Sequence, residues 1–263
     1  MRFLGHSTVR MELAGTVVLT DPVLTGRVGP LLRVGPTPVP DDWADADLVL
    51  LSHLHGDHLH LPSLRLLSAR GARIVVPRGA GAWLRAKGIG RVEELAPGEE
   101  LVAGDLRVTG VAATHSGHRW GPRSTRGPQS QAMGHLVQSR DLRIYSAGDT
   151  DLFDGMVDLP RPDVALLPVW GWGPTLGPGH LDPVRAAEAV ARLRPRVAVP
   201  VHWGTLALAG LVRAPGRQGA RMRRLLVEPP HEFAAAVAAA GAETDVLVTP
   251  PGEPVALPGR AQL

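Results

Sequence analysis

Three imidazoles and a carboxylate fall within six consecutive positions of this 263-residue chain, in Ser52-His53-Leu54-His55-Gly56-Asp57-His58. His53 and His55 are two apart, so in an extended or tightly turned loop both rings can point to one side. Asp57 and His58 then reach a second point nearby. That spacing suits two metal ions a few ångströms apart, one held by imidazoles alone and one by mixed nitrogen and oxygen ligands. The plain alternative is a solvated, histidine-rich loop. Chance produces His-x-His-x-Asp-His in only about one shuffled chain per thousand, which favours the metal reading. With no cysteine in the chain, thiolates are excluded. Imidazole and carboxylate donors suit zinc, manganese or iron.

The elements around the cluster support it. Asp47-Leu48-Val49-Leu50-Leu51 reads as a buried strand that ends at Ser52. Ligands just past a strand end sit on a rigid scaffold, where binding residues concentrate. Leu61-Pro62-Ser63-Leu64-Arg65-Leu66-Leu67 follows with Pro near a first turn and apolar residues at helical spacing. Three more strands deliver one ligand-competent residue each: Val111-Ala112-Ala113-Thr114-His115, Ile144-Tyr145-Ser146-Ala147-Gly148-Asp149 and Val197-Ala198-Val199-Pro200-Val201-His202. A lone histidine after a strand is commonly a hydrogen-bonded structural residue. Three such placements beside the cluster read as one site assembled from neighbouring strand ends, in which Asp149 can bridge two cations. Elsewhere the pattern predicts strands over 2–13, 16–21, 73–77, 133–148 (a pair), 164–169, 196–201 and 244–249. Residues 92–114 read as paired strands with a turn at 103–105, and 25–46 as loop. Helices are predicted over 79–87, 183–193 and 230–240.

These motifs resemble the metallo-β-lactamase superfamily, and the resemblance spans nearly the whole chain. Asp21, in Leu19-Thr20-Asp21-Pro22, matches the first motif, His53-x-His55-x-Asp57-His58 the second, His115 the third, Asp149 the fourth and His202 the fifth. The resemblance implies an α/β fold, a four-layer αβ/βα sandwich of two face-to-face sheets with helices outside, in a single domain over 1–263. It implies that His53, His55 and His115 hold one divalent ion and Asp57, His58 and His202 the other. Asp149 and a water or hydroxide would bridge the two ions, zinc before manganese or iron, and Asp21 would orient the metal loop. The hydroxide would attack an ester, lactone or phosphodiester bond. Leu4-Gly5-His6-Ser7-Thr8-Val9, Ser146-Ala147-Gly148-Asp149-Thr150, His180-Leu181-Asp182-Pro183 and His202-Trp203-Gly204-Thr205 resemble the branch containing N-acyl-phosphatidylethanolamine-hydrolysing phospholipase D and L-ascorbate-6-phosphate lactonase. Leu206 departs from the Phe common there. Flavodiiron oxidoreductases place Glu where His55 stands. β-CASP nucleases insert a domain into the interval that here spans only 53 positions (202 − 149). Main-class β-lactamases carry Cys at the position of Asp149. A non-catalytic metal-binding scaffold is the alternative, disfavoured because every ligand position is filled.

Other residues take supporting parts. Asp57 can orient the attacking water as a base. His180, in a Gly/Pro/Trp-rich segment before a helix, reads either as an acid or substrate ligand or as helix-start packing. His6 reads as a hydrogen-bond partner of a ligand loop. His118 and His135 flank the loop 116–132, a candidate pocket wall, and His60 and His231 read as surface residues. Trp120, Trp170, Trp172 and Trp203 fall in pocket-forming segments and suit an apolar or ring-bearing substrate, although Trp203 fits core packing equally well. The sequence pI of about 10.4 accompanies a net charge of only +3. All but one of the 28 basic residues are Arg, so little titrates above neutrality, and the charge does not point to nucleic acid. Arg213, Arg217, Arg221, Arg223 and Arg224 form either a solvated surface loop or a loop that binds a phosphate or other anion. No apolar run is long enough to span a bilayer, and no leader is evident, so a small-molecule enzyme of the cytoplasm is expected. Nothing in the sequence sets an oligomeric state.

Overall fold

Apolar runs such as Val17-Val18-Leu19, Leu48-Val49-Leu50 and Ile74-Val75-Val76 are buried along their whole length. Such runs arise when both faces of a largely parallel sheet are covered. The computed structural model describes residues 1–119 and 127–258. In order, the elements are β1 (Arg2–Gly5), β2 (Thr8–Leu13), β3 (Thr16–Thr20), β4 (Arg27–Val28), β5 (Leu31–Arg33), β6 (Leu48–Leu50), α1 (Leu61–Ala69), β7 (Arg73–Pro77), α2 (Gly81–Ala86) and β8 (Val92–Leu95). They continue with β9 (Glu100–Ala103), β10 (Leu106–Ala112), β11 (Met133–Gln138), β12 (Arg143–Ser146), β13 (Val164–Pro168), α3 (Pro183–Leu193), β14 (Val197–Val201), β15 (Leu206–Leu208), α4 (Gly216–Leu225), α5 (Pro229–Ala239) and β16 (Asp245–Val246).

One sheet has the order β1-β2-β3-β6-β7-β8 and the other β16-β14-β13-β12-β11-β10-β9. Alternate residues of the first sheet divide between two cores, as the period of a strand demands. Val18, Leu48, Leu50 and Val75 join Val108, Met133 and Val137 of the second sheet in one buried cluster. Val17, Leu19, Val49, Leu51, Ile74 and Val76 pack instead with Leu64 and Leu67 of α1 and Leu84 of α2. On the far side, Ala186 and Val190 of α3 and Phe233 and Val237 of α5 continue the main core. The result is the αβ/βα sandwich that the resemblance implied.

Strand direction positions the site. β3, β6 and β7 are parallel, and β1 reaches the same sense through two antiparallel steps. In the second sheet β12, β13 and β14 are parallel, and β10 regains that sense through β11. The C-terminal ends of β1, β3 and β6 and of β10, β12 and β14 therefore lie at one end of each sheet, and each is followed by a ligand-competent residue.

Four local expectations are corrected. The strand expected over 2–13 breaks at His6-Ser7, where His6 takes a left-handed φ of 56°. β8 pairs with β7 in the first sheet and not with β9. Residues 25–46 contain β4 and β5, which join β15 in a small third sheet. The arginine-rich stretch is not a loop: it forms α4, held by Met222 packed with Ala207 and Leu226.

Candidate metal centre

Four hydrogen-bond acceptors decide how the imidazoles point. His58 Nδ1 lies 2.9 Å from Asp21 Oδ2, His202 Nδ1 2.6 Å from the Trp170 carbonyl, and His115 Nδ1 2.6 Å from the Gly179 carbonyl. Ser52 Oγ donates to Asp21 Oδ2 at 2.6 Å, so it accepts from His53 Nδ1 at 3.0 Å. With Nδ1 donating in these contacts, the neutral form of each ring leaves its Nε2 as a bare lone pair. Those bare nitrogens face one another. His58 Nε2 and His202 Nε2 are 3.1 Å apart, and His53 Nε2 and His115 Nε2 stand 3.0 and 3.1 Å from His55 Nδ1. Lone pairs at such distances repel unless a cation lies among them. Donors spaced by roughly 3.3 Å are what a tetrahedral ion with bonds of about 2.0–2.1 Å collects.

Asp149 sits between the two groups. Its Oδ2 is 3.3 Å from His58 Nε2 and 4.0 Å from both His53 Nε2 and His115 Nε2, while Oδ1 is 3.3 Å from His202 Nε2. Oδ1 is buried without a hydrogen-bond partner among the described residues. An orphaned carboxylate oxygen facing bare imidazoles fits a divalent ion. The ligand-competent atoms form overlapping groups within 4.8 Å: His53, His55 and His115; His53, His58 and Asp149; His6, Asp57, His58 and His202; His115, Asp149 and His180. The sequence reading placed His180 as an acid or substrate ligand and His6 as a hydrogen-bond partner of a ligand loop, and neither as a metal ligand.

Electrostatics follow the same arrangement. Burial, with the neighbouring imidazoles, holds His53 well below its ordinary value, and burial holds His55 at about 4 and His202 at about 3. Burial opposes charge on His58 as well, but the Asp149 and Asp21 carboxylates prevail and raise it. Burial disfavours the charged form of Asp57 and Asp149 too. The His6 hydrogen bond keeps Asp57 far below the usual carboxylate range, and His202 and His58 do the same for Asp149.

Close backbone approach makes this possible. A Cβ on Gly148, at φ 61°, would lie 2.4 Å from the Ser52 Cβ, so only glycine lets the end of β12 meet the end of β6. His6, Asp21 and His202 also take left-handed conformations, uncommon outside glycine and concentrated at functional sites. The strain is held by hydrogen bonds: His202 N donates to the His6 carbonyl at 2.7 Å, and His6 N to Thr205 Oγ1 at 2.7 Å. His6 Nε2 then reaches Asp57 Oδ2 at 3.1 Å.

Comparison with known proteins agrees with this geometry. Residues 16–203 match the Beta-lactamase superfamily domain. A UPF0173 metal-dependent hydrolase of Methanopyrus kandleri is 32% identical over 256 residues, covering 95% of this chain and 96% of that protein. The chain belongs to the metallo-β-lactamase superfamily, and within it to the UPF0173 metal-dependent hydrolases. Igni18, a metallo hydrolase from Ignicoccus hospitalis, superposes with a TM-score of 0.71 at 25% identity, covering 96% of this chain and 95% of that one. CmlA, a diiron beta-hydroxylase from Streptomyces venezuelae, shares the fold at a TM-score of 0.65 and 18% identity, over 94% of this chain and 52% of CmlA.

The other expected residues of this UPF0173 hydrolase divide. His180 Nε2 lies 3.4 Å from Asp149 Oδ2, and its Nδ1 lies 3.0 Å from the Gly177 carbonyl. Helix α3 is capped by Asp182, which accepts from Arg185 N, so His180 is not its cap. Trp203 is core, against Phe3; Trp170 is half-buried; and Trp172 is 37% exposed. Trp120 lies outside the described residues. His60 is not a surface residue: it is buried, with Nδ1 2.8 Å from Ser63 Oγ, whereas His231 is exposed. Arg213, Arg217, Arg221, Arg223 and Arg224 are all exposed, Arg217, Arg221, Arg223 and Arg224 on α4 itself. Arg224 pairs with Glu228 at 3.1 Å and Arg223 donates to the Val212 carbonyl at 2.7 Å. Among the described residues no hydrogen bond or ion pair ties Arg221, Arg223 or Arg224 to the cluster.

His118 is partly buried on the stem of the 116–132 loop, bridged to Gln129, and His135 follows the loop. It lies within β11, fully buried, with Nε2 unpartnered among the described residues, and burial lowers it from 6.5 to about 4. Because the folded value is below the unfolded one, the unfolded chain takes the proton first as pH falls. The stabilising share is complete above pH 6.5 and is lost toward pH 4, roughly 2 kcal/mol of it between pH 7 and pH 5. In chelator-treated protein, His135→Leu is therefore expected to shrink the fall in Tm between those pH values. Equal falls in both proteins would count against it.

Proposed function

We propose that the chain is a dinuclear hydrolase of an ester, lactone or phosphodiester bond in a small or lipid-like substrate. The observation that supports this is the convergence of two groups of bare imidazole nitrogens on one carboxylate, Asp149. His53, His55 and His115 would hold one ion, Asp57, His58 and His202 the other, and Asp149 would serve both. Nitrogen and oxygen donors without sulfur suit zinc, with manganese or iron as alternatives. When bound, two divalent ions acidify water toward neutrality and stabilise the charge that grows on the substrate oxygen.

The chain's own groups do the rest. Asp57 stays ionised, so it accepts a hydrogen bond from the attacking water and orients it, while His6 holds its Oδ2. His180 is the proton donor for the leaving oxygen. Its ring packs against His115 at 4.6 Å yet keeps an accessible edge. Burial alone would lower His180, but the hydrogen bond and charge of Asp149 raise it and keep a proton available. The Gly5-His6-Ser7, His180-Leu181-Asp182-Pro183 and His202-Trp203-Gly204-Thr205 elements favour the branch that includes the phospholipase D and lactonase enzymes. Among the described residues no helix is long and apolar enough to cross a membrane.

Elemental analysis of protein purified without chelator tests the metal load. Two ions per chain are expected, and less than one after reconstitution would overturn the dinuclear reading. A screen of the zinc- and manganese-loaded protein against lactones, phosphodiesters and N-acyl lipids then assigns the bond cleaved.

A further inference from the structure

Residues 55–58 form a single turn whose own hydrogen bonds are few. His58 N and Leu59 N both donate to the His55 carbonyl, at 3.1 and 2.8 Å. One turn of helix is a costly nucleus with little to hold it, so an isolated segment of this kind does not keep its shape. The carbonyls that bracket it, Leu54 before and Leu59 after, point to a single buried guanidinium. Arg119 Nη1 donates to the Leu54 oxygen at 2.6 Å and to the Leu59 oxygen at 3.0 Å, spending one N–H on each. Arg119 is 7% exposed, and its Cζ lies over the Trp83 ring of α2, 5.6 Å from the centroid.

Arg119 also belongs to the other sheet's side of the site. It lies four positions after His115, on a stem in which Arg119 N donates to the Pro128 carbonyl and Ser130 N to the Gly117 carbonyl. A guanidinium is planar and presents fixed donors, which lets it span two carbonyls that one ammonium would grip less well. The geometry points to Arg119 as the positioning residue that clamps the 55–58 turn at both ends and ties it to the segment carrying His115. The same side chain thereby fixes His55, Asp57 and His58 relative to His115. This rests on the reading that those residues hold metal. Residues that orient ligands typically cost 10–100-fold in metal affinity when removed.

The test is zinc binding measured by competition with a chelating dye, on wild type, Arg119→Met and Arg119→Lys. Methionine keeps the apolar packing on Trp83 and removes both donors, and lysine keeps a cation that reaches one carbonyl. The Kd for zinc is expected to rise roughly 10–100-fold in Arg119→Met and by less in Arg119→Lys. A fall in Tm with zinc affinity within twofold of wild type would show that Arg119 merely supports the fold, and would overturn the inference. If Arg119→Met does not fold, Arg119→Lys decides: a weakened affinity supports the clamp and an unchanged one overturns it. Wild type that takes up neither zinc nor manganese nor iron would overturn the dinuclear reading and the clamp together, so the two failures are distinguishable.

Discussion

Asp149→Ala is expected to abolish hydrolysis and to lower the bound metal from the two ions proposed above to one or none. Among the described residues Asp149 is the one carboxylate within 4.0 Å of His53, His58, His115 and His202 together. Its removal leaves the facing imidazole nitrogens of both groups without a shared anion, so neither cation keeps its charge balance. Losing the geometry that two ions supply for water activation and charge stabilisation costs at least about a thousandfold in turnover. Asp149→Asn keeps shape and one oxygen, and is expected to retain more metal than Asp149→Ala while remaining nearly inactive. The measurements are metal content after gel filtration and turnover on whichever substrate the screen returns. An Asp149→Ala protein with two tightly held ions and near-normal turnover would remove Asp149 from the centre.

Asp21→Ala is expected to give the largest loss of stability among substitutions outside the ligand set. Asp21 is 2% exposed. It accepts from Ser52 N at 2.7 Å, from Ser52 Oγ at 2.6 Å and from His58 Nδ1 at 2.9 Å. Alanine strands all three donors in a buried site, and removing one member of such a network costs about 3–5 kcal/mol. Position 21 also has φ 35°, where aspartate is better tolerated than alanine. For a chain of this size the Tm of metal-free protein should fall by roughly 6–20 °C. Asp21→Asn keeps an acceptor for Ser52 N and should lose less. Matching melting curves for wild type and Asp21→Ala would sink the argument. Because Asp21 sets the tautomer of His58, the alanine variant should also bind metal more weakly in the folded state.

Much of this could be read from the chain alone, for definite reasons. The His53–His58 cluster lies within one heptapeptide, so local spacing carries the chemistry. His115, Asp149 and His202 each follow an apolar strand, and a strand end is a local signal. Helix α3 shows Pro at its start and buried Ala186, Ala189, Val190 and Leu193 at helical spacing, so its limits matched expectation. Other features have no local signature. β1 and β2 looked like one strand because Gly5-His6-Ser7 lies within a strand-like run, and hydrogen bonds to His202 and Thr205 hold His6 in its turn. α4 follows Pro215, opens on Gly216 and carries four arginines in ten residues, so its sequence argues for a loop. Contact of Met222 with Ala207 stabilises the helix, and that contact is made across the fold.

The residue types and spacing thus determined which groups could hold metal and at which strand ends they stand. The tertiary structure decided which nitrogen of each ring faces inward, because that depends on acceptors far away in sequence: Asp21 for His58, Trp170 for His202 and Gly179 for His115. It also decided that His180 meets Asp149 and that Arg119 meets the carbonyls of Leu54 and Leu59. Periodicity reports how one segment distributes its apolar face. Contacts between segments 30 to 65 residues apart depend on how two sheets pack, and no local pattern encodes that.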